Sequence, residues 1–139
     1  MTTKTCAAFK EFGKTWSNES GYVKLTYDFA NDTGATSHTA YYLGQVKAAT
    51  VILDAEVVVE TAFTGTGAVV KIGTTGVADS ILSKSWGDAS VTMAAAGAKF
   101  DCPAARGQIL SADDYVILVI STAAVTAGKL NVYLRFANQ

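Results

Sequence analysis

From Tyr22 the chain alternates, with Val23, Leu25, Tyr27 and Phe29 on one side and Tyr22, Lys24, Thr26 and Asp28 on the other. A period of two is the pattern of a strand with one buried face. The cluster NDTGATS at 31–37 closes it, because Asn and Asp fold onto their own backbone and Gly34 tolerates positive φ. A second strand is expected through HTAYYLGQV and a third through TVILDAEVVVETAF. In the third, Val51, Leu53, Ala55, Val57 and Val59 form one face, while Ile52, Asp54, Glu56, Val58 and Glu60 form the other. That predicts a sheet solvated on its carboxylate side. The loop TGTG at 64–67 reads as a tight connection to AVVKIG, the expected hairpin partner.

Farther on, GTTGVAD reads as loop, ILSKSW as a short strand, and VTMAAAGAK as a strand running into a small-residue loop, with one helical turn as the alternative. Pro103, the single proline, lacks the N–H that a central ladder uses and predicts an edge or a connection. YVILVIST at 115–122 is apolar on both faces, which suits a central strand covered on both sides. In KLNVYLRF, Leu130, Val132, Leu134 and Phe136 oppose Asn131, Tyr133 and Arg135. Residues 1–20 show no clean period and are expected to form an irregular N-terminal arm, holding at most one short strand or turn, ahead of a domain at 21–139. Seven or eight strands joined by glycine-rich turns, with no helical period, predict an all-β antiparallel sandwich of jelly-roll type.

A chain of 139 residues is the size of one domain. Half its residues are hydrophobic and 17% are charged, a composition that folds rather than stays disordered. Eleven basic against twelve acidic side chains, with no basic cluster, argue against nucleic acid and against a lipid surface. Lys4, Lys10, Glu11 and Lys14 interrupt any apolar export signal, and YVILVI is far too short to span a bilayer. A soluble protein made in the cytoplasm is expected. The two cysteines, Cys6 and Cys102, stand in no CxxC context and read as free thiols, with a disulfide as the alternative.

Candidate chemistry is sparse. His38 is the single histidine, and no GxSxG elbow or HExxH pair accompanies it. One His and two distant Cys cannot make the common zinc sites. Asp54, Glu56 and Glu60 share a strand face at a spacing suited to carboxylate catalysis or calcium, but solvent-facing strand positions account for them equally well. Asp113 and Asp114 fit a turn or cap, and GTTG at 73–76 lacks the lysine and helix of a phosphate loop. No cofactor, no metal and no enzymatic activity are expected. The aromatic residues Tyr22, Tyr41, Tyr42, Trp86 and Tyr133 offer either a sugar-stacking platform or a protein interface, with Tyr42 and Trp86 the surface-binding candidates. Adjacent Tyr41 and Tyr42 face opposite sides of a strand, so core packing takes one of them.

The stretch VILDAEVVVETAFTGTGAVVKIGTTGVADSIL and the C-terminal TAGKLNVYLRF resemble small β-sandwich virion proteins of tailed bacteriophages, namely head decoration or cement proteins and head fibres. The resemblance spans residues 38–136 and rests on the TAFTGTG turn, the IG closing the next strand and the TAG before the last. It implies a non-enzymatic role on the capsid surface, often as a homotrimer, with the major capsid protein as partner. Phe9, Phe12 and Trp16 of the arm are then the candidate capsid or intersubunit contacts. The rival expectation is a receptor- or glycan-binding module, either of a phage fibre or a carbohydrate-binding domain.

Overall fold

The computed structural model describes residues 2–12, 20–33, 38–64, 68–75, 96–102, 107–110, 112–121 and 123–138. They form nine strands and one helical turn: β1 (Thr2–Phe12), β2 (Ser20–Asp28), α1 (Phe29–Asp32), β3 (His38–Val46), β4 (Thr50–Thr64), β5 (Val69–Thr74), β6 (Lys99–Asp101), β7 (Gln108–Leu110), β8 (Asp114–Ser121) and β9 (Ala127–Asn138). Two sheets face each other across one core. The first runs β1-β3-β8-β5 and the second β2-β9-β4, with β6 and β7 sharing the far edge of β4. From β1 to β6 every strand lies in the sheet opposite its predecessor, and β8 and β9 repeat the crossing. This is an all-β sandwich with jelly-roll wiring.

Three expectations need correction. First, β5 is not the hairpin partner of β4: it pairs antiparallel with β8, in the other sheet. A strand across the core satisfies an apolar inward face as well as a neighbour does, so periodicity does not distinguish the two arrangements.

Second, the strand in the N-terminal arm is long rather than short, taking in residues 2–12. They form β1, which pairs parallel with β3 and contributes Cys6 and Phe12 to the core. The register slips between Thr5 and Lys10, where five residues of β1 span two of β3. That irregularity erases the period-two signal. With β1 included and the far edge of β4 divided between β6 and β7, the described residues hold nine strands. Pro103 lies outside the described residues.

Third, β4 does not keep one face throughout. Ile52 pairs with Phe136 and Asp54 with Arg135, which leaves Leu53 as the extra residue of a bulge. Ile52 is therefore buried with Ala55, Val57 and Val59, whereas Val51 and Leu53 are only partly so.

The core is aromatic at one end. Tyr27 meets Tyr41 edge-on at 5.5 Å and stacks on Phe63 at 6.0 Å, and its hydroxyl donates to the Thr33 carbonyl. Burial, reinforced by Tyr41, pushes the Tyr27 phenol well above its ordinary range. Phe63, from the TAFTGTG stretch, lies over Gly128 of the TAG stretch: a Cβ there would come within 2.5 Å of the ring, and φ is +138°. Only glycine meets both demands without strain. Asp32 is buried, and its carboxylate accepts the Ala7 N–H at 2.8 Å and the Asp28 N–H at 3.0 Å, tying β1 to the turn after β2.

Candidate functional site: two unlike outer faces

Each sheet turns one face to the core and one outward, and the two outer faces differ in chemistry. On the first sheet, Tyr42 pairs with Ile117, Gln45 with Tyr115 and Lys71 with Val119. Residues 115–120 of β8 are all apolar: Val116, Leu118 and Ile120 fill the core, Tyr115 and Val119 are partly exposed on the other side, and Ile117 between them is 4% exposed. The rings of Tyr42 and Tyr115 stack with centroids 4.3 Å apart and planes at 6°, and Phe9 leans on Tyr115 at 6.3 Å. Polar groups stand at the margin, where Lys47 lies 3.5 Å from Glu11 and 4.0 Å from Asp113.

On the second sheet the outward rows are polar. Tyr22, Arg135 and Asp54 lie side by side across three strands. The next row holds Lys24, Tyr133, Glu56 and Asp101, and the next Thr26, Asn131, Val58 and Lys99. Thr26 Oγ1 donates to Asn131 Oδ1 at 2.7 Å, and Asn131 Nδ2 donates to Glu60 Oε2 at 2.9 Å. Lys129 Nζ lies 3.2 Å from Glu60 Oε1. The hydrogen bond from Asn131 and the Lys129 ammonium hold Glu60 below the usual carboxylate range. Between Tyr22, Tyr133, Arg135, Lys99, Asp54 and Glu56 the face sinks into an open depression of about 370 Å³.

The residues singled out from sequence separate accordingly. Phe9 and Tyr42 come together on the first sheet, joined by Tyr115, which the sequence reading did not select. Its signal was available, as the first outward position of YVILVI. Phe12 is a core residue, 8% exposed and 5.2 Å from the Phe136 ring, so its expected contact role is withdrawn. Tyr41 is wholly buried, Tyr42 faces outward, and Tyr22 joins Tyr133 on the second sheet. Trp16 and Trp86 lie outside the described residues, as does the side chain of His38.

The acidic groups divide between turns and the second face. Asp113 accepts the Ala48 N–H at 2.7 Å and Asp114 the Thr75 N–H at 3.3 Å, which are turn-holding roles. No metal-ligating cluster occurs among the described residues. Cys6 and Cys102 are both buried and are not joined as a disulfide. Burial foremost, with the nearby Asp101 carboxylate, pushes the Cys102 thiol up to about 12. Burial and Asp32 raise Cys6 further. Both are therefore inert thiols at neutral pH. Among the described residues no helix is long and apolar enough to cross a membrane.

These features define a small jelly-roll sandwich with one apolar and one polar outer face. The fold recurs in phage capsids. A chain in the acid-stable capsid of Helicobacter pylori bacteriophage KHP30 superposes with a TM-score of 0.63 at 12% identity, over 87% of this chain and 90% of that one. A chain in the capsid asymmetric unit of cyanophage Pam1 gives 0.59 at 15% identity, over 91% and 90%. One in the capsid of Ralstonia phage GP4 gives 0.54 at 14%, over 91% and 89%. Coverage near nine tenths on both sides means that the matched chains are about as long as this one. No protein-family model matches the sequence, and no curated protein matches it significantly.

Proposed function

We propose that this chain is a non-enzymatic structural protein of a bacteriophage virion that decorates or cements the capsid surface. It assembles as a homo-oligomer, a trimer, seated on the major capsid protein. The apolar outer face of the first sheet packs against a second copy, and the polar outer face of the second sheet looks to solvent. The observation that carries this reading is the contrast between the two faces. An outward strip of Phe9, Tyr42, Tyr115 and Val119, each partly exposed, has the aromatic-rich composition of an interface centre, with Lys71 beside Val119 and the Lys47, Glu11 and Asp113 charges at one margin. The likeness in fold to whole chains of similar length in three phage capsids supports the setting. A lattice of linked copies makes modest single contacts durable.

Residues 1–20 contribute on this reading through Phe9 at the strip and through Trp16. Deleting residues 1–17 is a poor test of that role, because it removes β1 together with Cys6 and Phe12. The direct test is the mass of the purified chain by light scattering over a range of concentrations. A stable mass near three times 14.5 kDa is expected, and a monomer throughout contradicts the trimer.

A further inference from the structure

The depression on the second sheet is the part of the surface that oligomer formation leaves unused. Among the described large apolar side chains only Tyr22 and Ile109 are exposed, and Tyr22, at 72%, stands at the mouth of this depression. Tyr133 lies on the adjacent strand, one outward row along, so two phenol rings from β2 and β9 flank the same hollow. Its wall holds Arg135 and Lys99 as donors against Asp54 and Glu56 as acceptors.

Two cations against two carboxylates leave the wall without net formal charge. That balance argues against a polyanion such as nucleic acid or a sulfated chain, and against a polycation. It suits a neutral ligand that carries many hydroxyls, each able to give and take a hydrogen bond, because charged partners strengthen such bonds. Exposed tyrosine rings add flat apolar surfaces with an electron-rich face, which pack on the C–H side of a sugar ring. The volume is at the lower end of the range for small-ligand sites, and the hollow is open at its mouth, which allows a chain of sugars to run past it.

We propose that this depression is a binding site for a neutral oligosaccharide, with Tyr22 and Tyr133 as stacking platforms and Asp54, Glu56, Lys99 and Arg135 as hydroxyl partners. It adds a function to the decoration role and does not depend on it: the site lies on the sheet opposite the proposed intersubunit strip. A particle bearing many copies would hold a saccharide-coated surface through many weak contacts.

The test is titration of the full chain with maltohexaose, cellohexaose, mannohexaose and chitohexaose, followed by calorimetry and ligand-observed NMR, with heparin as the polyanion comparison. Saturable binding of at least one neutral hexasaccharide is expected, little changed between low and moderate salt. Tyr22→Ala, at an exposed position that leaves the core intact, should weaken it about tenfold or more, and Tyr133→Ala likewise. Tyr42→Ala on the other sheet should leave it unchanged. Failure of all four sugars to bind, binding indifferent to both Tyr22→Ala and Tyr133→Ala, or binding of heparin alone would overturn the proposal. None of these results bears on whether the chain resides on capsids.

Discussion

Tyr42 and Tyr115 stack face to face, 4.3 Å between centroids and 6° between planes, on the outer side of the first sheet. Each ring covers one face of the other, and Phe9 of β1 leans on Tyr115 beside the pair, so three aromatic side chains from three strands form one cluster. If copies of the chain meet there, a charge at its centre must separate them. Tyr42→Lys is expected to reduce the mass seen by light scattering to that of the monomer while the melting curve of the isolated domain stays cooperative. An unchanged mass would remove the first sheet from the interface.

The contact of Phe63 with Gly128 joins the two sequence segments on which the resemblance to phage virion proteins rests. Gly128→Ala forces a Cβ toward the ring and an unfavourable backbone angle, so a loss of about 2 kcal/mol or more is expected from urea unfolding. Phe63→Ala, which empties a wholly buried site, should cost about 3–5 kcal/mol. In the double variant the losses should fall short of the sum, since the alanine Cβ no longer meets a ring.

Asp32 supplies the acceptor that ties β1 to the body of the sandwich. Asp32→Ala removes two part-buried hydrogen bonds from the N–H groups of Ala7 and Asp28 to a carboxylate, at about 1–3 kcal/mol in all. Hydrogen exchange should report the loss locally, with faster exchange in β1 than in β4 or β9. Uniform acceleration across all strands would show instead that β1 unfolds only with the whole domain.

The cysteines give the pH prediction. Both thiols hold their protons in the folded state to higher pH than in the unfolded chain, where they ionise near 9.0. Above that pH the unfolded state binds fewer protons, so stability present at neutral pH declines as pH rises toward about 12. Urea midpoints between about pH 8 and 9.5 should fall, and the fall should shrink in Cys6→Ala/Cys102→Ala. Neither thiol should react with iodoacetamide at pH 8 until the protein is unfolded.

The sequence revealed most of the strands, because β2, β3, β4, β8 and β9 keep long runs of alternating or continuous apolar residues. It did not reveal how they are joined. β5 carries the same inward pattern whether it neighbours β4 or faces it, and here Val70 and Ile72 pair with Ile120 and Leu118 instead. β1 was hidden by its register slip, and the inward turn of Ile52 by the bulge at Leu53. Of the candidate residues, Tyr42 was legible as one of two adjacent tyrosines on opposite strand faces, whereas Phe9 was marked only by the resemblance, and their meeting through Tyr115 depends on pairing that no local pattern encodes. Phe12 looked like part of a free arm only because the arm was not seen to be a strand.

The central claim, a place on the capsid, is tested most directly by electron microscopy of virions that carry this chain, labelled with an antibody raised against it. Label distributed over the heads, at many copies per particle, is the predicted result. Label confined to the tail, or particles without label while the free chain is recognised, would contradict it.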